Sequence, residues 1–148
     1  MKKLFLILAA VSLFSFDLSA QVEYKIVTVI ESIVPAGLGR SRIIEEKDDS
    51  DVDAATTTRT DGKNSDQGDV RRRDLKVDVF EETKLLNFFS LGGINFQNIA
   101  SNDAMISAKI NQLTQEGWEL AFVTSGVESS AGGDDGEGIF ITRFVFKR

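Results

Sequence analysis

The sequence predicts a small α+β two-layer sandwich: a three-stranded antiparallel sheet in the order 2-3-1 with a helix on one face. An inserted mobile loop and a short helix complete the expectation. Three observations lead to it. Segments 22–34 (VEYKIVTVIESIV) and 139–146 (IFITRFVF) are dense in β-branched and aromatic residues. Segment 101–116 carries its apolar residues at helical spacing and is followed by a glycine. Long runs between them are too polar to build a core.

In the first strand Tyr24, Ile26, Thr28 and Ile30 share one face, and Val27, Val29 and Ile33 the other. Pro35 ends it, because proline cannot donate to a ladder. The Gly-rich turn 36–42 and Ile43-Ile44 follow. Residues 45–69 (EEKDDSDVDAATTTRTDGKNSDQGD) have almost no large apolar side chain, so they cannot offset the entropy of ordering and are expected to be a disordered loop. Leu75, Val77 and Val79 alternate as in a short strand over 74–80. Leu85, Leu86, Phe88 and Phe89 are spaced as in a short helix over 81–91, closed by Gly92-Gly93, and Ile94, Phe96 and Ile99 suggest a short extended piece.

Ser101-Asn102-Asp103 has the side-chain acceptor and acidic first turn of a helix start. Ile106, Ile110 and Leu113 form one stripe with Met105 beside it, and Gly117 stands where a helix C-cap needs positive φ. Trp118, Leu120 and Phe122 then fall on one face of a strand over 118–124, with Ala121 and Val123 opposite. After a Gly/Ser/Asp-rich connection, 139–146 is the most apolar strand and belongs inside the sheet. The last two strands pair as a hairpin, and the first lies antiparallel to the last.

The N-terminus reads MKKLFLILAAVSLFSFDLSA: a basic start, an apolar run Leu4–Phe16 and small residues before Gln21. That is the pattern of a secretory signal over 1–20, leaving 21–148 as a single domain. The run falls short of the roughly 18 residues a spanning helix needs, so the mature chain is expected to lack a transmembrane segment and to be periplasmic or secreted.

The 148 residues carry a net charge of −6, with no Cys and no His. Disulfides, thiolate chemistry, Cys/His zinc sites and Ser-His-Asp triads are excluded outright, and an acidic chain is not expected to bind nucleic acid.

The motif Gln115-Glu116-Gly117-Trp118-Glu119-Leu120, preceded by an EYK first strand and followed by Arg143-Phe144-Val145-Phe146-Lys147-Arg148, resembles the domain of unknown function 4177 family. The resemblance spans residues 23–30 and 104–148. It implies a helix packed on a short antiparallel sheet and no catalytic residue. The long insertion between the two stretches departs from that family's compact form.

Several features are candidates for chemistry. In GLGRSR, Gly37 and Gly39 let backbone N–H groups converge while Arg40 and Arg42 can fork onto an anion. The simpler alternative is a turn whose arginines pair with nearby acids. Arg71-Arg72-Arg73 strengthens an anion site only if it converges with Arg40 and Arg42. Asp49-Ser50-Asp51-Val52-Asp53 opens like an EF-hand loop, but Ala54 and Thr60 stand where Gly and Glu are required. Asp134-Asp135-Gly136-Glu137 is at most a loose cation grip, and Glu31 and Glu119 are expected to be strand charges. Phe88 and Phe89 either cover the sheet or form an exposed docking patch. No catalytic, cofactor-binding or metal residue is expected. The sequence points to a non-enzymatic binding module of the cell envelope whose partner is an envelope protein, the alternative being a periplasmic receptor for a small anion.

Overall fold

A computed structural model describes residues 22–32, 41–48, 50–90, 92–127 and 139–148. Seven strands and two helices occur among them: β1 (Tyr24–Ser32), β2 (Arg42–Glu46), α1 (Val52–Ala55), β3 (Phe80–Lys84), β4 (Phe89–Ser90), β5 (Gly93–Ile94), α2 (Phe96–Gln115), β6 (Glu119–Val127) and β7 (Ile139–Lys147). The class is α+β as the sequence predicts, but the main sheet has five strands, in the order β3-β2-β1-β7-β6. The expected three are its β1-β7-β6 part, with both antiparallel pairings as anticipated. β2 and β3 extend it on the far side of β1.

Register gives the two faces different characters. Toward α2, Val27 stands between Phe144 and Glu45, and Val29 between Thr142 and Ile43. The core is Val27, Val29, Ile43, Leu85, Leu113, Trp118 and Phe146, with Ile106, Ile110 and Phe144 packed against it. The opposite face carries Tyr24, Ile26, Thr28 and Ile30 of β1, Val145 of β7 and Ile44 of β2.

The helix ends as the sequence predicts. Gly117 takes φ 90°. Trp118 N–H donates to Leu113 O at 3.0 Å and Gly117 N–H to Thr114 O at 3.1 Å, the two bonds of a Schellman motif. Trp118 and Leu113 are both buried, supplying the apolar contact that accompanies that motif.

Elsewhere the structure corrects the expectations. The helix begins five residues earlier than Ser101, because Asn95 is the cap: its side chain accepts from Asn98 N–H at 3.1 Å. Residues 81–90 are not a helix and 74–79 not a strand. Phe80–Lys84 forms β3 because β2 offers an open edge, and Arg72–Leu75 is a 3-10 turn. Glu45 and Glu46 belong to β2, not to the polar loop. None of residues 50–79 is buried, in keeping with their composition, and their turns are held by local side-chain bonds such as Asp61 to the N–H groups of Lys63 and Asn64.

The face of Phe122 is also reversed. Leu120 pairs with Phe146 and Phe122 with Val145, so one residue of β6 intervenes between residues whose partners are adjacent on β7. Ala121 is the extra residue of a β-bulge, and it turns Phe122 to the open face, where it is 61% exposed. Phe146→Ala should therefore cost about 3–5 kcal/mol in urea denaturation, whereas Phe122→Ala should cost within about 0.5 kcal/mol. A Phe122 cost equal to that of Phe146 would contradict the bulge.

Candidate functional site

Of the six residues the sequence nominated, Gly37, Gly39 and Arg40 lie outside the described residues. Arg42 opens β2 on the open face of the sheet, where its guanidinium is ion-paired with Glu82 and its cross-strand neighbour is Lys84. With Ser41 these residues line a shallow depression of about 310 Å³. The Ser41 hydroxyl is committed elsewhere: it accepts from Ser32 N–H at 3.0 Å and donates to Asn87 Oδ1 at 3.1 Å. Arg71, Arg72 and Arg73 are exposed, and Arg73 pairs with Asp74 at 3.2 Å. Asp74–Asp78 line a hollow with Asp48, Ser50, Asp51, Val52, Ala55 and Thr56 at the Glu46–Phe80 end of the β2–β3 pair, whereas Arg42 is at the other end. The arginine triplet and Arg42 thus sit at opposite ends of the hairpin.

The Phe88 ring packs against Phe140, centroids 6.0 Å apart, and is half-buried. This contact lies on the helix side of the sheet, since Phe140 faces Glu31 of β1. The backbone of Phe89 pairs with Ile94, and its side chain lies outside the described residues. Asp49 and Asp134–Glu137 lie outside as well. Asp51 accepts from Asp53 and Ala54 N–H groups as the N-cap of α1. No group of three or more potential metal ligands occurs among the described residues. Glu119 pairs with Lys147 at 3.4 Å, and Glu31 accepts from Asn102 Nδ2 at 3.1 Å.

Two features escaped the sequence reading. The first is Glu45, 1% exposed on the helix side of β2. Its Oε1 receives Lys25 at 2.9 Å and Lys47 at 2.8 Å, and Lys109 of α2 lies against Oε2 as an ion pair without aligned hydrogen-bond geometry. Burial pushes the carboxyl up, but the ammonium groups of Lys109, Lys47 and Lys25 outweigh it and hold the pKa at about 2. In return, the hydrogen bond to Glu45 raises the pKa of Lys47, with burial opposing. Lys25 also stands 5.1 Å from the Trp118 ring centre, and the Arg148 guanidinium 4.4 Å from it. The signal was the alternation of Ile43 and Glu45, which puts both on one face.

The second is Asn102, read as part of a helix start but buried in mid-helix. Its Oδ1 accepts from Leu86 N–H at 2.8 Å, and its Nδ2 donates to Leu86 O at 2.8 Å. A side-chain amide thus pairs with a main-chain amide, fastening the end of β3 to α2. Neither feature is a vacant site: each polar group is consumed in joining the two layers.

The open face of the sheet carries accessible apolar side chains. On the open face Phe122, Val145 and Ile26 form a row across β6, β7 and β1, with Tyr24 nearby, and Ile141, Ile30 and Ile44 extend the patch. Arg143 and Thr28 lie between that row and Ile141–Ile30, and Lys147, Arg42 and Glu82 stand at the margins. Among the described residues no helix is long and apolar enough to cross a membrane. Compared with family models, curated proteins and solved structures, the chain matches none.

The Glu45 cluster makes a directional prediction. A carboxyl whose folded pKa is depressed stabilises the fold above its unfolded pKa of 4.5 and loses that contribution as pH falls toward about 2. The loss should amount to about 2–3 kcal/mol, discounted from the full shift because the lysines are partly hydrated. Urea midpoints measured down through this window should fall more steeply for the native chain than for Glu45→Gln, which should already be weaker at neutral pH. Parallel slopes would refute the assignment.

Proposed function

We propose that the protein is an exported, non-enzymatic interaction module of the cell envelope. It contacts a partner protein through the open face of its sheet. The observation that carries this reading is the row Phe122–Val145–Ile26, with Phe122 at 61% and Ile26 at 42% exposed. An apolar row flanked along β7 by Arg143 and Lys147 resembles a protein–protein contact, in which apolar anchors are edged by charge. Export is supported by the signal-like segment 1–20. The binding surface therefore differs from the one the sequence suggested. Phe88 is engaged by Phe140, and Arg42 stands at the margin as an ion-paired residue. The small-anion reading retains only Arg42 among the described residues, with its guanidinium already facing Glu82. The resemblance to the domain of unknown function 4177 family adds an expectation about fold and none about chemistry.

A photoreactive residue at Ile26, in cells expressing the full chain, should yield a discrete cross-linked product in the envelope fraction. The same residue at Ser107, exposed on α2, should not. The Ile26 product should disappear in a Phe122→Asp background that keeps its circular dichroism. Equal labelling from both positions, or a chain confined to the cytoplasm, would sink the reading.

A further inference from the structure

The two edges of the sheet have opposite characters. β3 is five residues long and carries Glu81, Glu82 and Lys84, the charges that normally deter pairing with another sheet. β6 is nine residues long and exposed throughout. Its run Leu120–Val127 contains neither an ionisable side chain nor proline. Phe122 and Val127 are 61% and 60% exposed. Among the described residues no strand pairs with the side of β6 away from β7.

We propose that β6 is a self-association edge: two copies of the chain pair β6 to β6, antiparallel, about a two-fold axis normal to the sheet. The result is a continuous ten-stranded sheet. The inference rests on the reading of the sheet as the interaction surface and names a second copy as the occupant of its edge.

Three observations favour a second copy. The first is charge. At a net charge of −6, two copies repel wherever acids meet, and the neutral run of β6 is a line along which they approach without that penalty. Glu119, which flanks the run, is partnered within its own chain by Lys147.

The second is register. A two-fold axis normal to the sheet sets residues of the same face opposite each other. Centred on Thr124, it places Val123 against Ser125 of the second copy on the helix side, and Phe122 against Gly126 of the second copy on the open face. These assignments follow from the β6–β7 pairing, in which Val123 and Ser125 share one face and Phe122 and Gly126 the other.

The third is space. Nothing lies within 4 Å of where a Cβ on Gly126 would stand, and its φ lies outside the positive range that calls for glycine. The backbone therefore gives no reason for a glycine in a strand. An aromatic ring laid over it from the opposite strand does, since such a ring covers the exposed backbone of a strand glycine. The bulge at Ala121 supplies that ring by turning Phe122 to the open face. The regular stretch Phe122–Val127 spans about 20 Å, so the contact is at the small end of specific interfaces and the dimer should be reversible.

The chain has no cysteine, which makes a single introduced thiol a clean probe. Thr124→Cys places two thiols opposite each other across the axis, where Cβ atoms of facing residues stand about 5 Å apart. Under mild oxidation the full chain carrying Thr124→Cys should form a disulfide-linked homodimer about tenfold faster than Ser107→Cys. Sedimentation velocity of the unmodified chain should show a monomer–dimer shift with rising concentration. Phe122→Lys and Gly126→Lys should each abolish it while leaving the circular dichroism unchanged.

Equal oxidation rates, a monomer at every concentration, or a dimer that survives both lysine variants would overturn self-pairing. Capture of a different protein by Thr124→Cys in place of a second copy would do so too. If self-pairing fails while the Ile26 cross-link persists, the face reading stands without it. Loss of the cross-link with an intact dimer would have the opposite meaning.

Discussion

Among the described residues one long helix, α2, lies against a five-stranded sheet, and most of this molecule's character follows from that mismatch. A helix of 20 residues is about 30 Å long but only about 10 Å across, while five strands at their usual spacing span roughly 20–25 Å. The helix therefore seals one face over Val27, Val29, Ile43 and Phe146. β6 remains exposed along its whole length, although the turn at Gly117 brings it directly off the end of the helix. On the other face the register keeps Ile26, Ile30, Ile44, Ile141 and Val145. A sheet bordered by water on one side usually alternates more strictly between apolar and polar residues. The apolar open face is the main reason to read the protein as a binding module.

The covered side is fastened by polar groups as well as by packing. Glu45 gathers Lys25 from β1, Lys47 from just beyond β2 and Lys109 from the helix around one carboxylate. Removing a carboxylate from water is costly, and three ammonium groups are what make it tolerable here. Asn102 does at the other end what Glu45 does near the middle, binding both amide groups of Leu86 and the carboxylate of Glu31. Each interaction joins elements distant in sequence, so each fixes the relative placement of strand and helix more sharply than apolar contact does. The same commitment explains why charged residues that look available in the sequence offer little to a ligand.

The bulge at Ala121 links fold to surface. Without it, strict alternation would put Phe122 on the covered side with Leu120. With it, β6 turns Leu120, Val123, Ser125 and Val127 to the covered side, and an aromatic ring projects from the open face beside the edge. β3 closes the opposite edge with charge, so the sheet can be extended in one direction only.

The sequence by itself determined the elements whose signals are local. Strands 24–32 and 139–147, the Gly117 C-cap and the β6–β7 hairpin were legible in it, and the antiparallel β1–β7 pairing followed from how apolar 139–146 is. The reason is that alternation, capping and hairpin connection act over a few neighbouring residues. It also determined what chemistry is impossible, because Cys and His are missing. Of the nominated site, Phe88 packs against Phe140 and Arg42 pairs with Glu82, while Gly37, Gly39 and Arg40 lie outside the described residues. Only the tertiary structure decided the remainder. Residues 80–84 are a strand because β2, some 40 positions earlier, offers hydrogen-bonding groups, although Leu85, Leu86, Phe88 and Phe89 are spaced for a helix. Glu45 is buried because three lysines from separate elements converge on it. Phe122 is exposed because a single extra residue shifts the register against β7. Each of these outcomes depends on a partner distant in the chain, and local pattern carries no information about such a partner.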